Sequence, residues 1–198
     1  MEVELKLLLE SDEVAKLRRV LGEPQNSIVQ YNRYFDDRDR TLARHGWGLR
    51  VRLEIANAGS SRVVLTLKHA GTEAGDFVVR PEYEASLATA GLEPFEALEV
   101  GRSLLPDPAL LPRVDPVEVA RLENHREVYG LPLHEECVIE LDHTVWPDGS
   151  ESDELELEIA DGADRFAAER ALRSLLESCR IPWRVGRESK LERLMRMI

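Results

Sequence analysis

EVELKLLLE, from Glu2 to Glu10, alternates charged and apolar residues as far as Leu7. Successive side chains of a strand point to opposite faces, so this stretch predicts a strand with Glu2, Glu4 and Lys6 on one side and Val3, Leu5 and Leu7 on the other. The same parity recurs along the chain. WGLRVRLEI (Trp47 to Ile55) sets Arg50, Arg52 and Glu54 against Leu49, Val51 and Leu53. SRVVLTLKH (Ser61 to His69) places Lys68 with Thr66, and FVVRPEYEA (Phe77 to Ala85) collects Arg80, Glu82 and Glu84. ENHREVYG (Glu123 to Gly130) carries Asn124 and Arg126. HEECVIELDHT (His134 to Thr144) sets Glu136, Glu140 and Asp142 against Cys137, Ile139 and Leu141. SDELELEIA (Ser152 to Ala160) aligns Glu154, Glu156 and Glu158 against Leu155, Leu157 and Ile159. With IVQYNRYFD (Ile28 to Asp36), these make about eight antiparallel strands, by the count of alternating runs.

Helical patterns fill the rest. Ser11 to Gly22 carries Val14, Leu17 and Leu21 at helical spacing with glycine as the stop. Prolines 94, 106, 108, 112 and 116 punctuate a helical insertion over about 92–122, including PVEVARL, and the C-terminal stretch of about 163–198 reads as helices. The whole chain, residues 1–198, is expected to be a single α+β domain.

Any one charged strand face is most simply a wet face of an open sheet. Seven such faces with repeated ExE and RxR pairs point instead to faces that converge, and burying so many charges requires compensation by opposite charges, metal ions or a charged ligand. The residue types then specify the chemistry. Glu2, Glu4, Asp142, Glu154, Glu156 and Glu158 offer only hard oxygen ligands, suited to Mg²⁺ or Mn²⁺. Lys6, Arg50, Arg52, Lys68, Arg80, Arg126 and Lys190 offer fixed cations for phosphate oxygens. Carboxylates beside such a cluster describe a phosphoryl-transfer site, and with no GxxxxGK[ST] loop present the phosphates must be held by side chains.

These residues resemble the CYTH domains, also called triphosphate tunnel metalloenzymes. EVELK fits the family's ExExK strand. It is followed in order by YFDD (Tyr34 to Asp37), HGWGLRVR (His45 to Arg52), LTLK (Leu65 to Lys68), RPEYE (Arg80 to Glu84), IELD (Ile139 to Asp142), ELELE (Glu154 to Glu158) and Ser189-Lys190. The resemblance implies a closed eight-stranded antiparallel barrel that binds a linear triphosphate and one or two divalent cations. It implies that Glu2, Glu4, Asp142 and two of Glu154, Glu156 and Glu158 hold metal. Lys6, Arg50, Arg52, Lys68, Arg126 and Lys190 would contact phosphates, with Arg80 a weaker member. Glu4 and Lys6 stand nearest the chemistry in that scheme. A helical CHAD domain, often fused to bacterial members, is not expected after the SK motif.

The expected reaction is metal-dependent hydrolysis of a triphosphate, foremost inorganic tripolyphosphate to pyrophosphate and phosphate. Thiamine triphosphate hydrolysis, cyclisation of ATP to cyclic AMP, and a non-catalytic polyphosphate or nucleotide binder are the rivals. A pure anion binder gains nothing from a carboxylate row beside its ligand, which favours catalysis.

The chain has 198 residues, with 26 Lys and Arg against 38 Asp and Glu, a formal net charge of −12. That balance argues against a nucleic-acid partner, which requires clustered basic side chains, while leaving room for a local basic site. No apolar run approaches the ~18 residues of a membrane span, and Met1-Glu2-Val3-Glu4 does not read as a basic leader or an apolar secretion signal. Cys137 and Cys179 fit no metal spacing and are too few for a disulfide framework. The expected setting is a reducing cytoplasm and the expected partner a small triphosphate, with homodimerisation left open. His45, His69, His125, His134 and His143, and Trp47, Trp146 and Trp183, read as structural or surface residues.

Overall fold

The computed structural model describes residues 1–57, 59–132, 134–160 and 162–197, with the backbone alone at Glu135. Ile198, the end of the expected C-terminal helical stretch, lies outside the described residues.

Among the described residues ten strands form one antiparallel sheet: β1 (Glu2–Leu9), β2 (Asn26–Asp36), β3 (Trp47–Ala56), β4 (Ser61–His69), β5 (Thr72–Ala74), β6 (Phe77–Arg80), β7 (Glu82–Leu87), β8 (Val117–Leu131), β9 (His134–Val145) and β10 (Glu151–Ile159). Their hydrogen-bonded order is β5-β6-β1-β10-β9-β8-β2-β3-β4-β7. The sheet therefore has two ends, β5 and β7, and the expected closed eight-stranded barrel is corrected to an open ladder of ten. The reason lies at Pro81. FVVRPEYEA is two strands, because proline has no N–H to give to a ladder. β6 pairs with β1 (Glu2 opposite Arg80), whereas β7 pairs with β4 (Lys68 opposite Glu82). The chain thus passes between the two flanks of the sheet through one residue, which requires the sheet to be strongly rolled.

The expected helical insertion is also shortened. Its helix is α3 (Pro94–Ser103), with Pro94 at the helix start and the Glu93 N–H donating to Glu96 Oε2 at 3.0 Å, followed by a 3₁₀ turn at Pro108–Leu110. From Val117 onward PVEVARL belongs instead to β8, whose β-branched Val117 and Val119 suit a strand and which pairs with β2 from Val117 to Val128.

The outward, apolar face of the rolled sheet is covered by helices in two blocks. α1 (Ser11–Leu21) and α4 (Arg165–Cys179) lay Val14, Leu17, Leu172 and Leu176 on Leu5, Leu7, Ile139, Leu141, Leu155 and Leu157. α3 and the short α2 (Thr41–Arg44) cover Leu49, Val51, Leu65 and Leu67. Burying each such Leu or Val contributes roughly 1.5–3 kcal/mol, so this alternation holds the helices on the outer face of the sheet.

The C-terminal segment then returns to β1. Leu8 N–H donates to Arg184 O at 2.8 Å and Gly186 N–H to Lys6 O at 2.9 Å, extending the sheet beside β1 where β6 stops. α5 (Lys190–Met197) follows, seating Leu194 on Tyr34, Leu122 and Trp146 at one end of the sheet's inner face. No helix among the described residues is long and apolar enough to cross a membrane.

Candidate functional site

The even-numbered side chains of β1, β3, β4, β8, β9 and β10 face inward, as their alternation dictates, around a cavity of about 1310 Å³. The sequence-predicted residues Glu2, Glu4, Lys6, Arg50, Arg52, Lys68, Arg80, Arg126, Glu156, Glu158 and Lys190 line this space. Asp142 and Glu154 are almost fully buried behind it, in contact with Lys190.

The charges are segregated. β1, β9 and β10 form an acidic wall whose cations are internal. Lys190 Nζ lies 2.6 Å from Glu154 Oε2, 2.8 Å from Asp142 Oδ2 and 3.0 Å from Glu156 Oε1. Lys6 Nζ lies 3.4 Å from Glu156 and 3.6 Å from Glu154. Arg126 grips Asp142 with two nitrogens, at 2.7 and 2.6 Å, and also pairs with Glu156 and Glu140. Arg80 bridges Glu2 at 2.6 Å and Glu4 at 2.5 Å, and Lys68 bridges Glu2 and Glu82. Burial alone would push Lys6 and Lys190 down and Asp142 and Glu156 up. Their mutual attraction overrides it, so both ammonium groups titrate above their ordinary range and both carboxylates below theirs.

β3 forms the opposite, basic wall. Arg50 has no acidic partner within ion-pair distance among the described residues; it donates to Thr66 Oγ1 at 3.1 Å, and its Nε is buried with no partner. Among the described residues Arg52 meets one carboxylate, Glu54, at 3.3 Å. Burial first, then the neighbouring Arg50 and Arg126, push the Arg52 guanidinium down to about 10.

Lys190 and Arg126, expected on phosphates, thus lie within the carboxylate cluster, and Arg80 clamps the two acidic residues of the ExExK strand. Of the ELELE row, Glu154 and Glu156 share the ammonium groups, while Glu158 makes no ion pair among the described residues and burial pushes its carboxyl up.

Glu140 was absent from the expected site residues, although its parity with Asp142 marked it. Burial, against the pull of Arg126, holds its carboxyl up at about 8. Gln30, Asn32, Asn124 and Thr144, all buried on the same face, carry no charge to flag them. Trp47 borders the cavity and meets His69 edge-on, whereas Trp146 and Trp183 stack under Arg193 and Arg173 outside it.

The acidic wall suits a hard divalent cation by donor type. Lys190 already holds a positive charge against three of its oxygens, so the donors fit such an ion in kind. With these ammonium and guanidinium groups in place, no set of three Asp, Glu, His or Cys side chains among the described residues is disposed around a metal position.

A family model described as the CYTH domain matches residues 1–194. Solved structures similar to this chain include the Hippeastrum protein HpAC1, described as an adenylyl cyclase candidate with a dominant triphosphatase activity. That likeness has TM-score 0.73 and 22% identity and covers 100% of this chain and 96% of that one. A protein of Pyrococcus horikoshii OT3 matches at TM-score 0.71 and 21% identity, with 100% of each chain covered. An adenylate cyclase candidate of Bacillus halodurans matches at TM-score 0.69 and 24% identity, covering 98% of this chain and 96% of that one. At these identities the structural likeness speaks for the fold.

Proposed function

This chain belongs to the CYTH domain family, and on that premise we propose that its cavity binds a linear triphosphate and hydrolyses it with the help of a divalent metal, inorganic tripolyphosphate being the substrate. One observation carries this reading: Arg50 and Arg52 present under-neutralised guanidinium groups opposite a wall of carboxylates. Tripolyphosphate carries roughly four to five negative charges near neutral pH, and each charge-assisted hydrogen bond to it contributes about 1.5–3 kcal/mol. Arg50 and Arg52 anchor the phosphate chain, and Lys6, Lys68 and Arg126 turn toward it from their carboxylates.

Glu4, Asp142, Glu154 and Glu156, with Glu2 and Glu158 beside them, would hold Mg²⁺ or Mn²⁺, one or two ions. Such an ion supplies charge neutralisation on the phosphate oxygens and a water of lowered pKa. In the reaction, water oxygen bonds to a terminal phosphorus while the bridging oxygen leaves with pyrophosphate. Lys6 is held protonated by Glu156 and Glu154, so it serves as a cation on the phosphates, and the proton of water passes to Glu158, the member of the row whose carboxyl burial holds up. The triphosphatase activity named for the Hippeastrum protein supports the reaction class.

An assay panel of tripolyphosphate, thiamine triphosphate and ATP, each with Mg²⁺ and with Mn²⁺ and products resolved by phosphorus NMR, tests the reading. Fastest turnover of tripolyphosphate to pyrophosphate and phosphate is expected. Fastest turnover of ATP with cyclic AMP as product, or tight binding without turnover in either metal, overturns it.

A further inference from the structure

A row of hydrogen-bonded polar side chains, three of them uncharged, runs across the inner face beside the basic wall. Arg62, Glu54, Gln30, Asn124 and Thr144 are successive cross-strand partners on β4, β3, β2, β8 and β9. Each is hydrogen-bonded to the next. Thr144 Oγ1 donates to Asn124 Oδ1 at 2.7 Å, Asn124 Nδ2 to Gln30 Oε1 at 3.0 Å, and Gln30 Nε2 to Glu54 Oε1 at 3.1 Å. Arg62 Nε closes the row on Glu54 Oε2 at 2.5 Å.

The ladder ends on the one carboxylate that meets Arg52, whose Nη1 donates to Glu54 Oε1 at 3.3 Å. Asn32, the cross-strand partner of Arg52, accepts from its Nε at 2.8 Å, and its own amide is fixed by donation to Leu122 O at 3.3 Å. Two of the three guanidinium nitrogens are thereby held by the protein. Nη2 makes no hydrogen bond among the described residues, in a side chain that lines the cavity.

This arrangement answers a physical problem. Arg52 is crowded by Arg50 and Arg126, so an unrestrained guanidinium would swing toward a full two-pronged pair with Glu54 and become neutralised. Arg62 and Gln30 occupy both oxygens of Glu54 and leave Arg52 only a long side-on contact.

Building on the triphosphate reading, we propose that Asn32 is a positioning residue for Arg52, and that the Thr144–Asn124–Gln30 ladder, by holding Glu54, keeps Arg52 Nη2 directed at a phosphate of the ligand. A bent or missing support leaves the charge in the cavity and loses its direction, which is how a misplaced group weakens binding without weakening the fold.

The test has two arms. In the ligand-free protein, arginine side-chain NMR reads exchange of the Arg52 Nε–H; protection is expected in wild type and lost in Asn32→Ala. In EDTA, calorimetry of tripolyphosphate gives a double-mutant cycle. Asn32→Ala is expected to weaken binding about tenfold, the size of one hydrogen bond to a charged group, and to add less than twofold on top of Arg52→Ala. Thr144→Val, a near-isosteric change suited to a strand, is expected to weaken binding about threefold with the same lack of additivity, and it decides the matter if Asn32→Ala fails to fold. Full additivity, or an unprotected Arg52 Nε–H in wild type, overturns the positioning role while leaving the triphosphate site intact. A protected Nε–H in a wild-type protein that does not bind tripolyphosphate instead removes the substrate reading and with it the phosphate half of the proposal.

Discussion

Lys68 Nζ lies 2.7 Å from Glu2 Oε1, although five strands separate β4 from β1 in the hydrogen-bonded order. The contact exists because the sheet is rolled, and Arg80, one residue before Pro81, joins the same Glu2 at 2.6 Å. The charged strand faces are therefore an interior, and on the acidic wall most of their charges are balanced within the chain.

The C-terminal segment passes close to β1 at a glycine. A Cβ at Gly186 would lie 2.9 Å from Leu8 Cδ2 and 3.2 Å from Lys6 Cγ and Cδ. Gly186→Ala should turn the exposed Leu8 end aside and press on the buried Lys6 stem, costing about 1 kcal/mol and disturbing Lys6. Thermal unfolding with a triphosphatase assay checks it, and unchanged values in both contradict the close approach.

Lys190 is the shared counter-ion of Asp142, Glu154 and Glu156. Lys190→Met should cost about 3–5 kcal/mol in EDTA, near a 10 °C fall in Tm, because it strands buried carboxylates. Added Mn²⁺ should restore more stability to this variant than it gives wild type. An equal Mn²⁺ increment in both proteins would separate the metal position from Lys190.

Glu140 and Asp142 give opposite pH dependences. The Asp142 carboxyl is held below its ordinary value by Arg126 and Lys190 despite burial, so its contribution is present above about pH 4 and is lost as pH falls further. Glu140 is raised to about 8, chiefly by burial, so the folded state holds a proton that the unfolded chain releases, and stability falls as pH rises from about 5 to 8. Glu140→Gln should flatten that alkaline decline in chelated protein. An identical slope in wild type and variant would mean that Glu140 is ionised throughout.

Much of this was legible because a strand has period two. The alternation in EVELK, GLRVRLE and ELELE put the right side chains on the inner face and the leucines under the helices. Parity could not show where a strand ends: Arg80 and Glu82 keep one parity across Pro81, yet sit on opposite flanks of the sheet. Nor could it show which cations are already neutralised, since the partners of Lys190 and Arg126 come from other strands. Asn124 shares the parity of Arg126, but neither it nor Gln30, Asn32 and Thr144 stands out as part of a site, because an isolated polar residue on a strand looks like any wet-face residue until its neighbours are known.

The most direct measurement compares the tripolyphosphate-induced rise in Tm of wild type and Arg50→Met in EDTA. Arg50 has no acidic partner among the described residues, so its removal should leave ligand-free stability equal or higher. At about 100 times Kd the ligand stabilises wild type by about 2.7 kcal/mol, a rise of roughly 5–10 °C. Losing one charge-assisted contact should weaken binding about 10- to 100-fold and cut that rise to half or less at the same concentration. Equal rises in the two proteins would place the triphosphate away from the β3 arginines and contradict the account.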